Sequence, residues 1–278
     1  MKEVITSRQN PRVKELCALA EKKHRRAAKR FRADGKKLFS EALSSGAEIV
    51  EIWLSEKANE SVKTLLKQEI DEGRIDGNLV TVASESVFEK ITDEASPEGI
   101  VTVIRTIDRL HQSLSEGEPL DAGALTGERI LIAESLRDTG NLGTVIRSCA
   151  ALGIDRLILS DDCADLYHPK TIRAAMGAIF RLPILTVPQK ELPHAISALR
   201  GAGRSVLAAA LREGARPIGE FELHRGDCFV IGNEGHGLSD AVINACDDCA
   251  IIPMKEGNES LNAAAAATIC IWETVRAK

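Results

Sequence analysis

The sequence predicts an α/β protein in two parts: a smaller N-terminal α/β domain over residues 1–105 and a C-terminal domain over residues 128–278 built on a parallel sheet. Three observations carry that expectation. The 278 residues are more than one ordinary hydrophobic core requires. Short apolar runs alternate with helical patterns along most of the chain. Between two such series lies a stretch rich in Ser, Gly, Glu and Asp, residues 106–127, whose weak periodicity and Pro119 read as a linker.

Taken in order, Asn10-Pro11 opens the first helix with a capping residue and a proline at the first helical position, and Val13, Leu16, Cys17, Leu19 and Ala20 supply its apolar stripe. A basic run, Lys22 to Arg32, follows. The pattern then predicts a helix over 38–43, a strand over 49–54, a helix over 58–70 and strands over 79–83 and 99–105. In the second part, strands are expected at 130–133, 156–159, 184–187, 205–210, 228–231 and 249–252. Helices at 141–152, 169–178 and 193–199, one near 239–245, and an alanine-rich helix at the end separate or follow them. Apolar strands alternating with helices imply a parallel sheet covered on both faces, with ligands bound beyond the strands' carboxyl ends.

Composition narrows the function classes. Hydrophobic content of 44% and charged content of 28% suit a globular protein and exclude a disordered one. The longest apolar run, Leu261 to Trp272, is interrupted by Asn262 and Thr268 and is too short to span a membrane, so no membrane partner is expected. Met1 to Ser7 carries no apolar signal core, and a cytoplasmic location is expected. Seven cysteines, an odd number in mostly apolar surroundings, suit reduced thiols. Cys246-x-x-Cys249 stands alone, without the two further ligands of a zinc site, and no metal is expected.

Charge is distributed unevenly. Residues 1–39 hold 13 Lys and Arg against 4 Asp and Glu, a net +9, while the remainder is net −14. Within 22–32 eight of eleven residues are basic and none is acidic, a density that a merely solvated helix face would avoid. Lys22, Lys23, Arg25, Arg26, Lys29, Arg30 and Arg32 are therefore the candidate phosphate contacts.

Three strand ends in the second part lead into polar, glycine-bearing turns: Glu134 to Arg147, Gly232 to Ser239, and Pro253 to Asn262. Glycines there let backbone approach a ligand closely. Neither G-x-G-x-x-G after a first strand nor G-x-x-x-x-G-K-[ST] occurs, which counts against hydride transfer and nucleotide hydrolysis.

Asn141-Leu142-Gly143-Thr144-Val145-Ile146-Arg147, Ile231-Gly232-Asn233-Glu234-Gly235 with Gly237-Leu238-Ser239, and Ile252-Pro253-Met254 with Glu259-Ser260-Leu261-Asn262 resemble the three ordered motifs of the SpoU (TrmH) family of RNA ribose methyltransferases, in the SPOUT superfamily. Tyr167 to Lys170, Arg173 to Ala178 and Phe180 to Pro183 resemble its connecting segments, and residues 1–105 are similar to its L30-like (L30e-like) substrate-binding domain. Two positions depart from the family pattern: Thr139 stands where a proline is common, and Ala263-Ala264 where Val-Ser is.

The resemblance implies a parallel sheet with a trefoil knot, a homodimer, S-adenosyl-L-methionine as cofactor and an RNA 2′-hydroxyl as acceptor. Ribosomal RNA is favoured over transfer RNA by the accessory N-terminal domain. The alternatives are a tRNA ribose methyltransferase and a non-catalytic RNA-binding or assembly protein on the same scaffold. The implied catalytic residues are Arg147, Asn141, Glu234, Ser260 and Asn262. Arg147 would clamp the phosphate beside the target ribose, because a guanidinium stays protonated and cannot serve as base. Glu234 would order the second turn and contact Arg147. The cofactor would be held by main-chain groups near Ala209, Gly232, Ile252 and Leu261. Taken singly, Asn141 and Ser260 could be plain helix caps and Glu234 a first-turn acid.

Overall fold

A computed structural model describes residues 4–255 and 260–276. In chain order the elements are α1 (Pro11–Ala18), α2 (Lys22–Ala28), β1 (Arg30–Asp34), α3 (Lys36–Ser44), β2 (Ile49–Ser55), α4 (Glu60–Asp71), β3 (Val80–Ala83), α5 (Glu85–Ile91) and β4 (Ile100–Arg105). There follow β5 (His111–Ser113), β6 (Ile130–Ala133), α6 (Thr139–Leu152), β7 (Arg156–Ser160), α7 (Pro169–Ala175), β8 (Ile184–Val187), α8 (Leu192–Gly201) and β9 (Val206–Ala209). The chain closes with β10 (Arg216–Pro217), β11 (Cys228–Ile231), α9 (Asp240–Ala245), β12 (Asp248–Ile251) and α10 (Ala263–Arg276). These elements form two compact units. One comprises residues up to Ile107 together with Tyr167–Phe180, and the other comprises Asp108–Leu166 with residues from Arg181 onward.

The first unit has a four-stranded mixed sheet in the order β1-β4-β2-β3, with β4 antiparallel to both neighbours and β2 parallel to β3. Asn10 caps α1, its Oδ1 accepting the Arg12 amide at 2.9 Å, as the Asn-Pro signal predicts. Val13 and Leu16 of that helix pack with Trp53, Val87, Phe88, Val101 and Val103. Phe39, Ile52, Val62, Leu66 and Ile100 form a separate cluster.

Strand β1 is not among the expected elements, because it lies inside the basic run. Lys29 takes a left-handed backbone (φ +50°) that stops α2, and the chain enters the sheet at once. Phe31, Arg32 and Ala33 are all buried.

Residues 167–180, expected within the C-terminal segment, pack in the first unit. The Tyr167 ring stacks on Phe31 at 4.5 Å between centroids, Phe180 lies on the same ring at 6.3 Å, and the Tyr167 hydroxyl accepts the Ile107 amide at 2.8 Å. Gly177 (φ +89°) is required where it stands, since a Cβ there would meet Glu41 Cγ at 2.5 Å.

The second unit holds an eight-stranded sheet in the order β10-β12-β9-β11-β6-β7-β8-β5, parallel throughout. The stretch expected to be a linker contributes its edge strand β5, paired with β8. Every residue of β6 and β11 is buried, as continuous apolar strands covered on both faces should be. From β6 the chain steps outward through β7 and β8, then crosses to β9 on the other side; β11 later fills the place between β9 and β6. The carboxyl ends of β12, β9, β11 and β6 therefore lie side by side. Ile130, Ile132, Val206 and Val230 pack with Leu192, Ile196 and Leu199 of α8 and Val242 of α9. Helix α10 packs along α6, where the hydroxyls of Ser148 and Thr268 lie 3.0 Å apart.

Candidate active site

The described residues of the three turns lie at the carboxyl ends of those neighbouring strands. After β6 the chain turns at Ser135, whose positive φ of 53° is uncommon for a residue with a side chain. Its amide donates to Ser160 Oγ at 2.7 Å and its hydroxyl to Asp162 Oδ2 at 2.5 Å, while its carbonyl accepts Asn233 Nδ2 at 2.7 Å. Burial works against ionisation of Asp162. Hydrogen bonds from Ser135, Ser160 and Arg137 outweigh it and hold the carboxyl below its ordinary value.

The second turn closes on itself. The main chains of Asn233 and Gly237 exchange two hydrogen bonds of 3.0 Å, and Asn233 Oδ1 accepts the Gly235 and His236 amides. Gly232 has no room for a side chain, for a Cβ would lie 2.4 Å from the Gly237 carbonyl carbon. Next to it, the buried carboxylate of Glu134 accepts the Ser239 amide at 2.8 Å and hydroxyl at 2.7 Å, tying the end of β6 to the start of α9.

A directed chain of polar groups joins all three motifs. Asn262 Oδ1 accepts the Ala264 and Ala265 amides at 3.0 and 3.2 Å and so caps α10. That contact fixes which way its amide points. Asn262 Nδ2 donates to Asn141 Oδ1 at 2.9 Å, and Asn141 Nδ2 in turn donates to Glu234 Oε1 at 3.1 Å. Glu234 ends the relay as acceptor, taking the Arg137 and Asp138 amides as well at 3.4 and 3.3 Å. Asp138 caps α6 through the Asn141 amide at 2.7 Å, so the turn is held with Thr139 in the place of the family's proline.

Several expectations need correcting. Glu234 does not contact Arg147. Arg147 is exposed, and its side chain has no ion-pair or hydrogen-bond partner among the described residues. Asn262, rather than Ser260, caps α10, and Ser260 is exposed. Asn141 is not itself a cap; Asp138 fills that position. Of the basic run, Lys22, Lys23, Arg26 and Lys29 are exposed and Arg30 is half-buried. Arg25 and Arg32 are buried, because each is a structural strut. Arg25 donates to the Leu19 and Ala20 carbonyls, and Arg32 to the Ile91 carbonyl at 2.6 Å and to Asp93. They are withdrawn as phosphate contacts. Glu259 of the third motif lies outside the described residues.

Asn233, Glu134, Asp138 and Asp162 were missed as site residues. A signal existed for two of them: Asn233 sits inside the second motif, and Glu134 is a carboxylate directly after an apolar strand. Asp162 carries none, since only the sheet brings it beside Ser135. The thiols of the Cys-x-x-Cys pair are pushed up by burial, Cys246 to about 12, which disfavours the thiolate.

The strand-end positions suit a cofactor that is read by main-chain groups. Val206, Leu207 and Ala208 are buried and Ala209, at the end of β9, opens to half exposure; β11 is buried and Gly232 opens; Ile252 is half-exposed beyond β12. Leu261 is 41% exposed, and its amide and carbonyl have no partner among the described residues. Among those residues no cluster of side chains could hold a metal ion.

A parallel α/β sheet with three cross-linked polar turns at neighbouring carboxyl ends is where an α/β enzyme holds its ligands. Comparison with known proteins makes the class specific. Residues 128–272 match the SpoU rRNA Methylase family, and residues 10–102 match an MRM3-like substrate binding domain. The chain belongs to the SpoU rRNA methylase family. It is 31% identical to the 23S rRNA (guanosine(2553)-2′-O)-methyltransferase RlmP of Bacillus subtilis (strain 168), over 96% of this chain and 97% of that one. An AdoMet-bound rRNA methyltransferase from Sinorhizobium meliloti superposes with a TM-score of 0.78 at 28% identity, covering 99% of this chain and 97% of the other. The SpoU methyltransferase AviRb from Streptomyces viridochromogenes in complex with AdoMet gives 0.76 at 27% identity, covering 96% and 97%.

Proposed function

We propose that this protein transfers the methyl group of S-adenosyl-L-methionine to a ribose 2′-hydroxyl of ribosomal RNA. The observation that carries the reading is the Asn262–Asn141–Glu234 relay, which joins the three motifs, together with Arg147 on the same helix as Asn141, exposed and without a side-chain partner among the described residues. Bound S-adenosylmethionine would supply an electrophilic sulfonium methyl: the C–S bond breaks as the O–C bond forms, the sulfur becomes a neutral thioether and the hydroxyl proton leaves to solvent or a base.

What the chain's own residues contribute follows from their geometry. Main-chain groups at Ala209, Gly232, Ile252 and Leu261 hold the adenosine. The relay fixes those turns relative to one another before any ligand arrives, so that less ordering is needed on binding. Arg147 presents a planar fork, suited to a substrate phosphate and to the oxygen on which negative charge develops. Ser260, exposed at the mouth of the third turn, contacts the substrate side. Lys22, Lys23, Arg26 and Lys29 supply phosphate contacts that dock RNA without reading its sequence.

Three finer elements belong to the same reading. Helix α10 packs along α6, and β11 inserts between β9 and β6, which supports the trefoil threading. Met254, Leu261 and Trp272 are large apolar residues left exposed, Trp272 by 55%, and this supports a homodimer built on the C-terminal segment. A cytoplasmic location is supported by seven cysteines that are all free; no helix among the described residues is long and apolar enough to cross a membrane.

The decisive experiment incubates the protein with labelled S-adenosylmethionine and total RNA from cells lacking the gene, then digests the RNA to nucleosides. A 2′-O-methylated nucleoside in the ribosomal RNA fraction is expected. Label in transfer RNA would move the substrate class, label on a base would refute the ribose assignment, and tight RNA binding without transfer would favour an assembly protein.

A further inference from the structure

Methyl transfer at the sheet edge leaves the first unit with only a generic docking role, yet that unit contains a cavity of about 310 Å³ between α1, α2 and the sheet. Its floor is apolar: Leu16, Leu19 and Val103 line it, and all three are buried. Its wall is charged and organised. The Glu51 carboxylate is the centre, accepting from Trp53 Nε1 at 3.1 Å, Arg12 Nη2 at 3.3 Å and Arg30 Nη1 at 3.4 Å. Arg12 is further pinned by Thr81 Oγ1 at 2.9 Å, with its guanidinium over the buried Trp53 ring at 5.2 Å from the centroid. Only one nitrogen of each arginine is engaged in these bonds, which leaves the rest of both forks for a ligand.

The cavity combines what an unstacked nucleotide needs. A guanidinium seated over an indole offers a stacking platform for a base, and an apolar floor receives the base face. A carboxylate between two arginines accepts from an exocyclic amino group, while the unused arginine donors reach a phosphate. The volume is at the lower end of the roughly 300–1,000 Å³ of ligand pockets, enough for a single nucleotide and too small for a duplex. The exposed Lys22, Lys23 and Arg26 lie on α2, the helix that also supplies Ala27 and Ala28 to the pocket wall. A second, polar cavity of about 560 Å³, lined by Ser7, Asn10, Asn78 and Thr81, shares Arg12 with the first and gives the strand a path onward.

We infer that this cavity, built on Glu51, Arg12 and Arg30, captures one unpaired nucleotide of the RNA substrate and prefers a base with an exocyclic amino group over uracil. The inference deepens the RNA-methylation reading by locating where the substrate's single-stranded part is read, on a unit separate from the methyl-transfer site.

The test uses the full chain, without S-adenosylmethionine, and fluorescence anisotropy with labelled single-stranded pentanucleotides of cytosine, adenine or uracil and with a short RNA duplex. Ala27→Trp fills the mouth from an exposed position. It is expected to weaken binding of the cytosine and adenine strands about tenfold, the worth of one stacked base, while duplex binding holds. Glu51→Gln should erase the preference of the wild type for those strands over uracil. Unchanged single-strand affinity in Ala27→Trp, or an equal loss on the duplex, would overturn the pocket. Should Ala27→Trp lower the melting temperature, Glu51→Gln decides alone: the same base preference in wild type and variant, or none in the wild type, overturns base capture. Because no methyl donor is present, a catalytically silent protein still tests the pocket, and an active enzyme with an unresponsive pocket sinks this inference alone.

Discussion

The carboxyl edge of the parallel sheet and the basic stretch of the first unit each announced themselves in the sequence, and they fared differently in three dimensions. At the sheet edge, Asn141, Glu234 and Asn262 come from three distant segments and touch one another directly. In the basic stretch neighbouring residues part company: Arg25 and Arg32 turn inward to carbonyl groups, while Lys22, Lys23, Arg26 and Lys29 stay in solvent. Order and spacing of small polar residues pointed to groups that come together. Density of charge predicted only a neighbourhood, because a guanidinium also serves as a five-donor strut for main-chain carbonyls.

The largest expected effect tests the first side of that contrast. Arg147→Ala should lower the methyl-transfer rate about 10²–10³-fold, the usual loss when a donor to developing oxyanion charge is removed, with S-adenosylmethionine affinity retained. Arg147→Lys, which keeps the charge without the fork, should recover only part; full activity in that variant would dismiss the clamp. Next, Asn141→Ala and Asn262→Ala should each impair transfer, and the double variant should be less impaired than the product of the two, with a coupling of roughly 0.5–3 kcal/mol. Strict additivity would mean that the relay is not a functional unit.

Gly232→Ala should destabilise the second unit by about 1–3 kcal/mol, since the Gly237 backbone has to move, and should weaken cofactor binding in calorimetry. A variant that binds and melts as the wild type does would show the turn to be slack. On the other side of the comparison, replacing Lys22, Lys23 and Arg26 by Gln should lower RNA affinity for every sequence and flatten the salt dependence by about one in slope for each phosphate no longer neutralised. Arg25→Ala should act on the melting temperature rather than on the slope. A reversal between the two would restore Arg25 as an RNA contact.

The smallest effect concerns pH. The carboxyl of Asp162 lies below its ordinary value in the folded state, so its contribution to stability is complete above the ordinary aspartate range and is lost as pH falls through the depressed folded value. Asp162→Asn should therefore lower stability at neutral pH and flatten the acid limb of a melting-temperature profile. Parallel profiles for the two proteins would discount the network around Ser135.

Much of the fold could be read ahead of the structure because apolar runs such as Ile130–Ala133 and Cys228–Ile231 are both uninterrupted and fully buried. Strand β1 could not, because Phe31 is the lone large apolar residue of a run whose alternation is masked by arginine. Edge strand β5 is three polar residues, His111 to Ser113, that pair only because β8 offers its edge. The motif residues of the site were legible from their order, but their connections were not. No periodicity tells that the Asn262 amide is oriented by the α10 amides it caps and so compels the orientation of Asn141.

The stacking of Tyr167 on Phe31 bears on how the protein is made. N-terminal domains commonly fold while the rest of the chain is still being synthesised, at about 5–20 residues per second. Here the first unit is not complete when its last contiguous residue emerges. Strand β1 carries Phe31 without its aromatic partners for several seconds, until Tyr167 and Phe180 follow. Until then Phe31 lacks its aromatic cover. A chain cut after residue 105 would lack that cover permanently, so RNA affinities measured on such a fragment would describe an incomplete first unit.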